Sequence, residues 1–189
     1  MVRNPERRNV LTDAAIEVLA KRGARGLTFR AVDTVADVPG GTASNYFANR
    51  DELLHEVGRR IHLRLQPAAG ESAVADLASS EEAVPTLLRE IFSRIVEDRS
   101  GYLALMELRL EATRNPSLRA LLTETVRSNH ERDVRVYQEA GLPGDRTTVL
   151  LLYLAVNGLA VEHLTLPDMM AARGPEDVID DLVTRVVAR

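Results

Sequence analysis

The sequence contains no cysteine and no tryptophan, and only seven of its 189 residues are Phe or Tyr. Without cysteine it can form no disulfide, no thiolate nucleophile and no cysteine-ligated metal site. No uncharged apolar run reaches the about 18 residues of a membrane-spanning helix, and the N-terminal MVRNPERRNV lacks the apolar stretch of a signal peptide. The sequence therefore predicts a cytoplasmic protein that does not cross a membrane.

Sequence signatures of the common enzyme classes are also absent. There is no HExxH, no GxSxG, no P-loop and no GxGxxG that follows a strand pattern. His55 and His62 lie seven residues apart with Glu52 and Glu56 nearby, so a metal site is conceivable, although a charged and solvated helix face explains the pattern more simply. We expect no enzyme activity, no metal site and no cofactor.

The net charge of -4 hides an asymmetry between the two ends of the chain. Residues 1–66 hold 11 Arg and Lys against 8 Asp and Glu, a balance of +3, which leaves 13 against 20, or -7, for residues 67–189. A basic segment on an acidic body is compatible with an anionic partner such as nucleic acid.

Apolar residues recur at helical spacing almost throughout, which predicts an all-α protein. The first helix runs over about residues 5–22 and ends at Gly23. Thr28 caps a short second helix, residues 40 or 41 to 47 form a third, and Asn49 caps a fourth that continues to about residue 65. A loop is expected at residues 67–80, followed by helices at about 83–98, 101–114, 116–140, 145–166 and 175–188.

A double glycine, Gly40 and Gly41, precedes two adjacent aromatic residues, Tyr46 and Phe47, in the stretch VPGGTASNYF. The short helices have the spacing of a helix-turn-helix, whose second helix enters the major groove of DNA N-terminus first. Glycines at its start would let the backbone come close to DNA, where free N–H groups attract phosphate. Alternatively, the glycines form a simple turn and both aromatic side chains belong to the core.

The wider stretch LTFRAVDTVADVPGGTASNYFANRDELLHEV, residues 27–57, resembles the DNA-binding region of the TetR family of bacterial transcriptional regulators. The matching features are the Leu-Thr opening, the Ala-x-Val turn, Gly-Thr-x-x-x-Tyr-Phe, and a basic-acidic pair before Leu-Leu. The resemblance covers roughly residues 7–57 and is architectural beyond them. It implies a helix-turn-helix DNA-binding domain at residues 1–48 and a helical ligand-binding and dimerisation domain at residues 49–189.

By this resemblance Thr28 and Tyr46 would contact phosphate, and Arg50 would reach the DNA backbone from the start of the fourth helix. Asn45 has the donor and acceptor that suit a bidentate pair with adenine, whereas Phe47 should turn inward. The full set of expected DNA-binding residues is Thr28, Arg30, Gly40, Gly41, Thr42, Ser44, Asn45, Tyr46 and Arg50.

The sequence departs from the family pattern at several positions in this region. Asp37 replaces the common glycine of the turn, and Pro39 replaces a frequent Ser cap. Gly40 and Ser44 stand where bulkier residues are often found, so few long side chains reach the groove. A basic N-terminal arm either adds affinity for DNA without reading its sequence or is a solvated terminus; its arginines are Arg3, Arg7 and Arg8.

The stretch VLLLYLAVNGLAV, residues 149–161, is apolar on nearly every face, so it is either central to one core or shared between two subunits. In the TetR family the last two helices form a four-helix bundle across a two-fold axis, and here they would be residues 145–166 and 175–188. The resemblance therefore implies a homodimer that binds a near-palindromic site in double-stranded DNA.

Polar groups within apolar helices of the larger domain are candidates for a ligand pocket, because buried polar atoms need partners. Arg109 would suit an anionic ligand, or it pairs with Glu107 or Glu111 at the surface. The expected pocket residues are Phe92, Tyr102, Met106, Arg109, Leu110, Tyr153 and Asn157, each of which could instead belong to the ordinary core or surface.

The sequence thus predicts a sequence-specific transcriptional regulator, by resemblance a repressor that a small-molecule effector releases from DNA. The alternative is a helical protein-interaction module without sequence-specific DNA binding, for which the departures at Asp37 and Pro39 argue.

Overall fold

The computed structural model describes residues 4–66, 82–170 and 172–187, and over these ranges the chain is all-α, as predicted. The expected loop at residues 67–80 and the last residue of the final expected helix lie outside the described residues. The helices are α1 (Pro5–Gly26), α2 (Phe29–Val35), α3 (Thr42–Tyr46), α4 (Arg50–Arg64), α5 (Ala83–Glu97), α6 (Arg99–Ala112), α7 (Pro116–Glu139), α8 (Arg146–Thr165) and α9 (Pro175–Val187), with a 3-10 helix at Pro167–Met170 between the last two.

Short polar side chains begin the helices by accepting hydrogen bonds from backbone N–H groups that have no partner within the helix. The two predicted caps are confirmed: Thr28 accepts from the N–H of Ala31 at 3.1 Å, and Asn49 accepts from that of Glu52 at 2.9 Å. Asp145 caps α8 in a capping box with Thr148. Local sequence therefore determines where most of these helices begin.

The regular helical backbone of α1 is interrupted at Gly23, where the sequence predicted the end of the first helix. Gly23 has φ +66°, which bends the helix, and α1 continues to Gly26 beyond the kink. Just after the kink, the N–H of Ala24 donates to the carboxylate of Glu107 on α6 at 2.9 Å. The extra turn therefore depends on a partner 83 residues away, which no local pattern could indicate.

The chain divides into two compact units that do not follow the chain order. Among the described residues, the first unit comprises 4–66 and 98–126, and the second comprises 82–97, 127–170 and 172–187. The expected functional division after residue 48 stays a prediction, but by compactness the first unit also includes α4 and α6.

In the first unit α1 packs against α2, α4 and most extensively α6. The fully buried side chains at its centre come from all these helices; they include Leu11, Ile16, Val32, Phe47, Leu54, Ile61 and Leu108. This core supports the short helices α2 and α3 from behind.

In the second unit α8 packs against α5 and α9. By length and composition α8 could cross a membrane, a property that core helices of soluble proteins share, and 39% of the apolar stretch is buried. Its remaining apolar surface includes Leu150, Leu151 and Leu154, which are 42%, 46% and 55% exposed. The apolar face of α8 is thus larger than the second unit alone covers.

Candidate nucleic-acid interface and effector cleft

Helices α2 and α3 pack together as a helix-turn-helix pair in the first unit. Two left-handed residues shape the turn between them: Asp37 has φ +51° and Gly41 has φ +90°. A glycine adopts this conformation without strain, whereas an aspartate adopts it at some cost. Asp37, at the position where the family pattern has glycine, therefore adopts a conformation that glycine would adopt without strain.

Helix α3 turns one face to solvent and the other to the core. Ala43 is fully buried and Phe47, which follows the helix, is 1% exposed, so the prediction that Phe47 turns inward is confirmed. Tyr46 is half-buried, whereas Ser44 and Asn45 are exposed. A Cβ built on Gly40 would meet no atom within 4 Å, so this glycine leaves open space at the surface.

The polar side chains of α3 differ in what they still offer to DNA. The hydroxyl of Thr42 donates to the carbonyl of Pro39 at 2.5 Å, and that of Ser44 donates to the carbonyl of Gly41 at 2.8 Å. Each hydroxyl proton is therefore engaged, and the oxygens remain as acceptors. Within the described part of the chain the Asn45 amide forms no hydrogen bond, so both its donor and its acceptor face solvent.

The N–H groups at the start of α3 are not free for phosphate, which corrects the reason given above for the double glycine. The N–H groups of Gly41 and Ala43 donate to the two carboxylate oxygens of Asp33, both at 2.7 Å, and that of Thr42 donates to Pro39 at 3.1 Å. The Asp33 side chain is buried, at 2% exposed, and sequence reasoning missed it. The one available signal was that Gly41 has no side chain with which to cap α3.

Arg8 does not extend into solvent as part of a basic arm. Its guanidinium donates to the carbonyl of Tyr46 at 2.7 Å and to Glu52 at 2.8 Å, and it lies 4.6 Å from the centre of the Phe47 ring. Arg7 is exposed, and Arg3 lies outside the described residues. The expectation of a free arm is therefore wrong for Arg8, because the side chain is engaged at the end of α3.

The two arginines expected at the DNA backbone have different surroundings. Arg30 is exposed on α2 and forms no ion pair with any described residue. Arg50 is held: its guanidinium donates to Glu111 and to the carbonyl of Ala24, both at 2.8 Å. The Arg50 side chain is still 41% exposed, and three of its five N–H donors remain for another partner.

The two histidines of α4 do not form a solvated face. His62 donates from Nδ1 to the carbonyl of Gly58 at 2.7 Å, and burial, with a smaller contribution from Arg109, lowers its pKa below 6.5. His55 contacts the hydroxyl of Ser117 at 3.1 Å. In the ranges that the structure describes, no three His, Asp or Glu side chains come together as a metal site.

The residues expected to line one ligand pocket fall on both units. Tyr102, Met106, Arg109 and Leu110 lie on α6 in the first unit, whereas Phe92, Tyr153 and Asn157 lie in the second. Tyr102 is buried, Leu110 is exposed, and Asn157 donates to the carbonyl of Tyr153 at 2.8 Å. Glu107 contacts Ala24, and Glu111 contacts Arg50. A single pocket formed by this set stays a prediction.

The second unit contains a cleft of about 420 Å³ between α5, the end of α8 and the start of α9. Phe92 and His163 form its aromatic part, with ring centres 5.3 Å apart in an edge-to-face arrangement. Three carboxylates also line it, from Glu97, Glu176 and Asp177, against one arginine, Arg89. Arg89 already pairs with Asp180, so the cleft is acidic with an aromatic wall. Of the expected pocket residues only Phe92 belongs to it.

Two family models match the chain. Residues 11–57 match "Bacterial regulatory proteins, tetR family", and residues 79–189 match "Tetracyclin repressor-like, C-terminal domain". The first match contains the helix-turn-helix pair, and the second covers more than half of the chain. The chain therefore belongs to the TetR family of bacterial transcriptional regulators, and it is a DNA-binding transcriptional regulator.

Individual relatives agree over nearly the whole length. The HTH-type nicotine-responsive transcriptional repressor HdnoR of Paenarthrobacter nicotinovorans is 24% identical, over 97% of this chain and 95% of its own. A TetR-family structure from Streptomyces coelicolor A3 is 30% identical over 97% and 99% of the two chains, with a TM-score of 0.72. The multidrug binding protein EbrR, solved with imidazole, is 28% identical over 97% and 96%, with a TM-score of 0.67.

Members of this family are soluble regulators that bind DNA and ligands and act as dimers, and they are not enzymes. The interaction-module alternative is not favoured.

Proposed function

We propose that this protein is a cytoplasmic homodimeric repressor that reads a near-palindromic DNA site with α3 and leaves it when a small organic cation binds the second unit. The DNA-binding part of this proposal rests on one observation, the exposed face of α3. There the Asn45 amide has no hydrogen-bond partner among the described residues, and Gly40 leaves room for a close approach.

Each expected DNA contact has a role in this proposal. Asn45 reads base edges, and the oxygens of Thr42 and Ser44 accept hydrogen bonds from bases or bound water. Gly40 and Gly41 permit close approach, whereas Thr28, Arg30, Tyr46 and Arg50 contact the phosphate backbone and fix the register. With so few long side chains, the groove contacts are short.

The first experiment is selection of bound fragments from random double-stranded DNA at near-physiological salt, with wild-type protein and Asn45→Ala. Wild type should recover a near-palindrome, and Asn45→Ala should change the preferred bases within it. Binding that is sensitive to salt but blind to sequence would contradict the proposal and favour the interaction-module alternative.

Dimerisation is proposed through α8 and α9. Leu150, Leu151 and Leu154 lie on one exposed face of α8, and a Cβ built on Gly158 would meet no atom within 4 Å. The apolar residues of α9 fall into two groups: Ile179 and Val183 are buried within the chain, whereas Val178, Leu182 and Val186 are partly exposed. A large exposed apolar face of this kind marks an interaction site. A second copy of this chain would cover it in a dimer with two-fold symmetry.

Mass determination by analytical ultracentrifugation tests this interface. Leu154→Arg should convert the dimer into a monomer, because it places a charge at the centre of the apolar face. Leu63→Arg is the matched control, since Leu63 is 62% exposed on α4 in the first unit. A Leu154→Arg protein that remains dimeric would place the interface elsewhere.

The proposed effector class follows from the cleft in the second unit. An aromatic wall and an excess of carboxylates favour a flat organic cation, through ring contacts and charge attraction. EbrR has also been solved with ethidium, proflavin and malachite green, which are aromatic cations. The anionic ligand expected for Arg109 concerns the first unit and does not bear on this cleft.

Calorimetric titration with ethidium tests the effector site. Glu97→Gln with Glu176→Gln should weaken binding about tenfold, whereas Glu131→Gln, which removes a carboxylate on α7, should not. Bound ethidium should also lower affinity for the selected DNA, as linkage requires of a ligand that prefers the DNA-free state. Equal affinity in all variants would exclude the cleft as the site.

A further inference from the structure

Helix α3 cannot be stable by itself. It has five residues, Thr42–Tyr46, which is one turn and a half, and isolated helices shorter than about 12 residues are marginal in water. Its N-cap residue is Gly41, which contributes no side-chain hydrogen bond. Contacts from other helices must therefore hold it in place.

Asp33 holds the N-terminal end of α3 from α2. Its two carboxylate oxygens accept from the N–H groups of Gly41 and Ala43, each at 2.7 Å, and its side chain is buried. A carboxylate in this position also interacts favourably with the positive end of the helix dipole. Asp33 thus replaces the capping side chain that Gly41 lacks.

Arg8 holds the C-terminal end of α3 from α1. One nitrogen of its guanidinium donates to the carbonyl of Tyr46 at 2.7 Å, and the group lies over the Phe47 ring. The other terminal nitrogen bonds one oxygen of Glu52, whose second oxygen accepts from the N–H of Ala48 at 2.7 Å. The end of α3 is therefore joined to both α1 and α4.

We infer that Asp33 and Arg8 are positioning residues for DNA recognition: they hold the recognition helix at its two ends from behind, and neither contacts DNA. The inference rests on the proposed function, in which α3 reads DNA. The two side chains carry opposite charges. If only electrostatic attraction to DNA mattered, removing Asp33 would raise the affinity for DNA and removing Arg8 would lower it. Positioning predicts the same effect for both.

The decisive comparison is between Asp33→Asn and Glu6→Gln. Each removes one negative charge from the first unit, but Glu6 is exposed in the first turn of α1 and takes part in none of the hydrogen bonds that hold α3. If charge alone mattered, both variants would bind DNA more tightly. Positioning predicts that Asp33→Asn binds the selected site about tenfold more weakly while its affinity for a scrambled duplex does not fall.

Arg8→Gln is tested by the dependence of DNA affinity on salt. An arginine that neutralises one phosphate contributes about 0.9 to the slope of log K against log salt concentration. Positioning predicts that Arg8→Gln loses discrimination between selected and scrambled DNA about tenfold, with the wild-type slope. A slope reduced by about one would show a phosphate contact and overturn the inference for Arg8.

Amide hydrogen exchange in the DNA-free protein gives a readout that does not depend on DNA. The amides of Gly41 and Ala43 should be protected in wild type and exchange faster in Asp33→Asn, while amides of α1 keep their protection. Loss of protection throughout the protein would mean that Asp33→Asn unfolds. In that case Arg8→Lys, which loses only one contact, tests the inference through its discrimination between selected and scrambled DNA.

These readouts separate the inference from the proposed function. If wild type shows no sequence preference, the proposed function fails, and exchange at Gly41 and Ala43 still decides whether Asp33 holds α3. If Asp33→Asn strengthens binding to both DNAs as Glu6→Gln does, with unchanged exchange, the inference is wrong.

Discussion

The contacts of Arg50 predict that one substitution will change both the stability of the first unit and its affinity for DNA. The guanidinium joins the start of α4 to Glu111 on α6 and to the carbonyl of Ala24 at the end of α1. Ala24 is itself bonded through its N–H to Glu107. The two peptide groups that flank the Cα of Ala24 are thus both held, one by Glu107 and the other by Arg50, which also pairs with Glu111.

The expected magnitude follows from the exposure of each partner. The ion pair is partly screened, since Arg50 is 41% and Glu111 19% exposed, so the pair contributes about 0.5–1 kcal/mol. The Ala24 carbonyl also accepts from Leu27 at 3.3 Å, so losing the Arg50 bond costs about 1 kcal/mol rather than a full desolvation penalty. Arg50→Ala should therefore lower the free energy of unfolding by about 2 kcal/mol, or about 5 °C in midpoint.

Urea unfolding at fixed protomer concentration, with Arg50→Ala, Glu111→Ala and the double variant, measures this coupling. Arg59→Ala is the matched control, because its pair with Glu56 lies within one helix at the surface and should contribute little. Since three N–H donors of Arg50 remain, Arg50→Ala should also reduce the salt slope of DNA binding by about one. A coupling energy near zero would refute the role of Arg50 in joining the helices.

Four further substitutions test three separate parts of the structure. Asp37→Gly should raise the free energy of unfolding by about 1 kcal/mol, measured by urea denaturation, because it relieves the left-handed backbone at φ +51°. The lowered pKa of His62 means that the unfolded chain takes up a proton near pH 6.5 before the folded one does. Stability should therefore fall as the pH drops below 6.5, and thermal melts of His62→Gln should lose this component. Binding assays on the selected site and its variants should show that Asn45→Ala alters sequence preference while Tyr46→Phe weakens all sequences alike; equal effects would contradict that division of roles.

The sequence predicted the helices well because the signals for them are local. Thr28 and Asn49 cap the helices that follow them, as their positions in the sequence predicted. The inward turn of Phe47 was also predicted from the sequence. Local patterns also located the interruption of α1 at Gly23, but they did not indicate the short turn beyond it, where the N–H of Ala24 donates to Glu107.

The candidate site was harder to predict because its side chains are committed by contacts distant in sequence. Arg8 and Arg50 both read as free cations, yet their partners lie 38 and 61 residues away. No local pattern indicated that Asp33 holds α3. This role depends on the turn after α2, which brings the N–H of Gly41 next to the Asp33 carboxylate. Charge counted along the sequence therefore overstates what the first unit can offer to DNA.

The ion pairs formed by the basic side chains of the first unit limit how many of these side chains remain for DNA. Of the basic side chains described up to residue 66, Arg8, Lys21, Arg50, Arg59, Arg60 and Arg64 form ion pairs. Those that remain are exposed and form no ion pair within the described ranges: Arg7, Arg22, Arg25 and Arg30. With these four and the partly free Arg50, the described residues up to 66 in a dimer neutralise at most ten phosphates, which corresponds to a salt slope of about -9. That attraction carries no sequence information, and the exposed face of α3 offers only short side chains to the bases. Short side chains read bases only when the backbone lies close, so a small displacement of α3 removes the contacts. In the proposed function, specificity therefore depends on how firmly α3 is held, more than on how far its side chains reach.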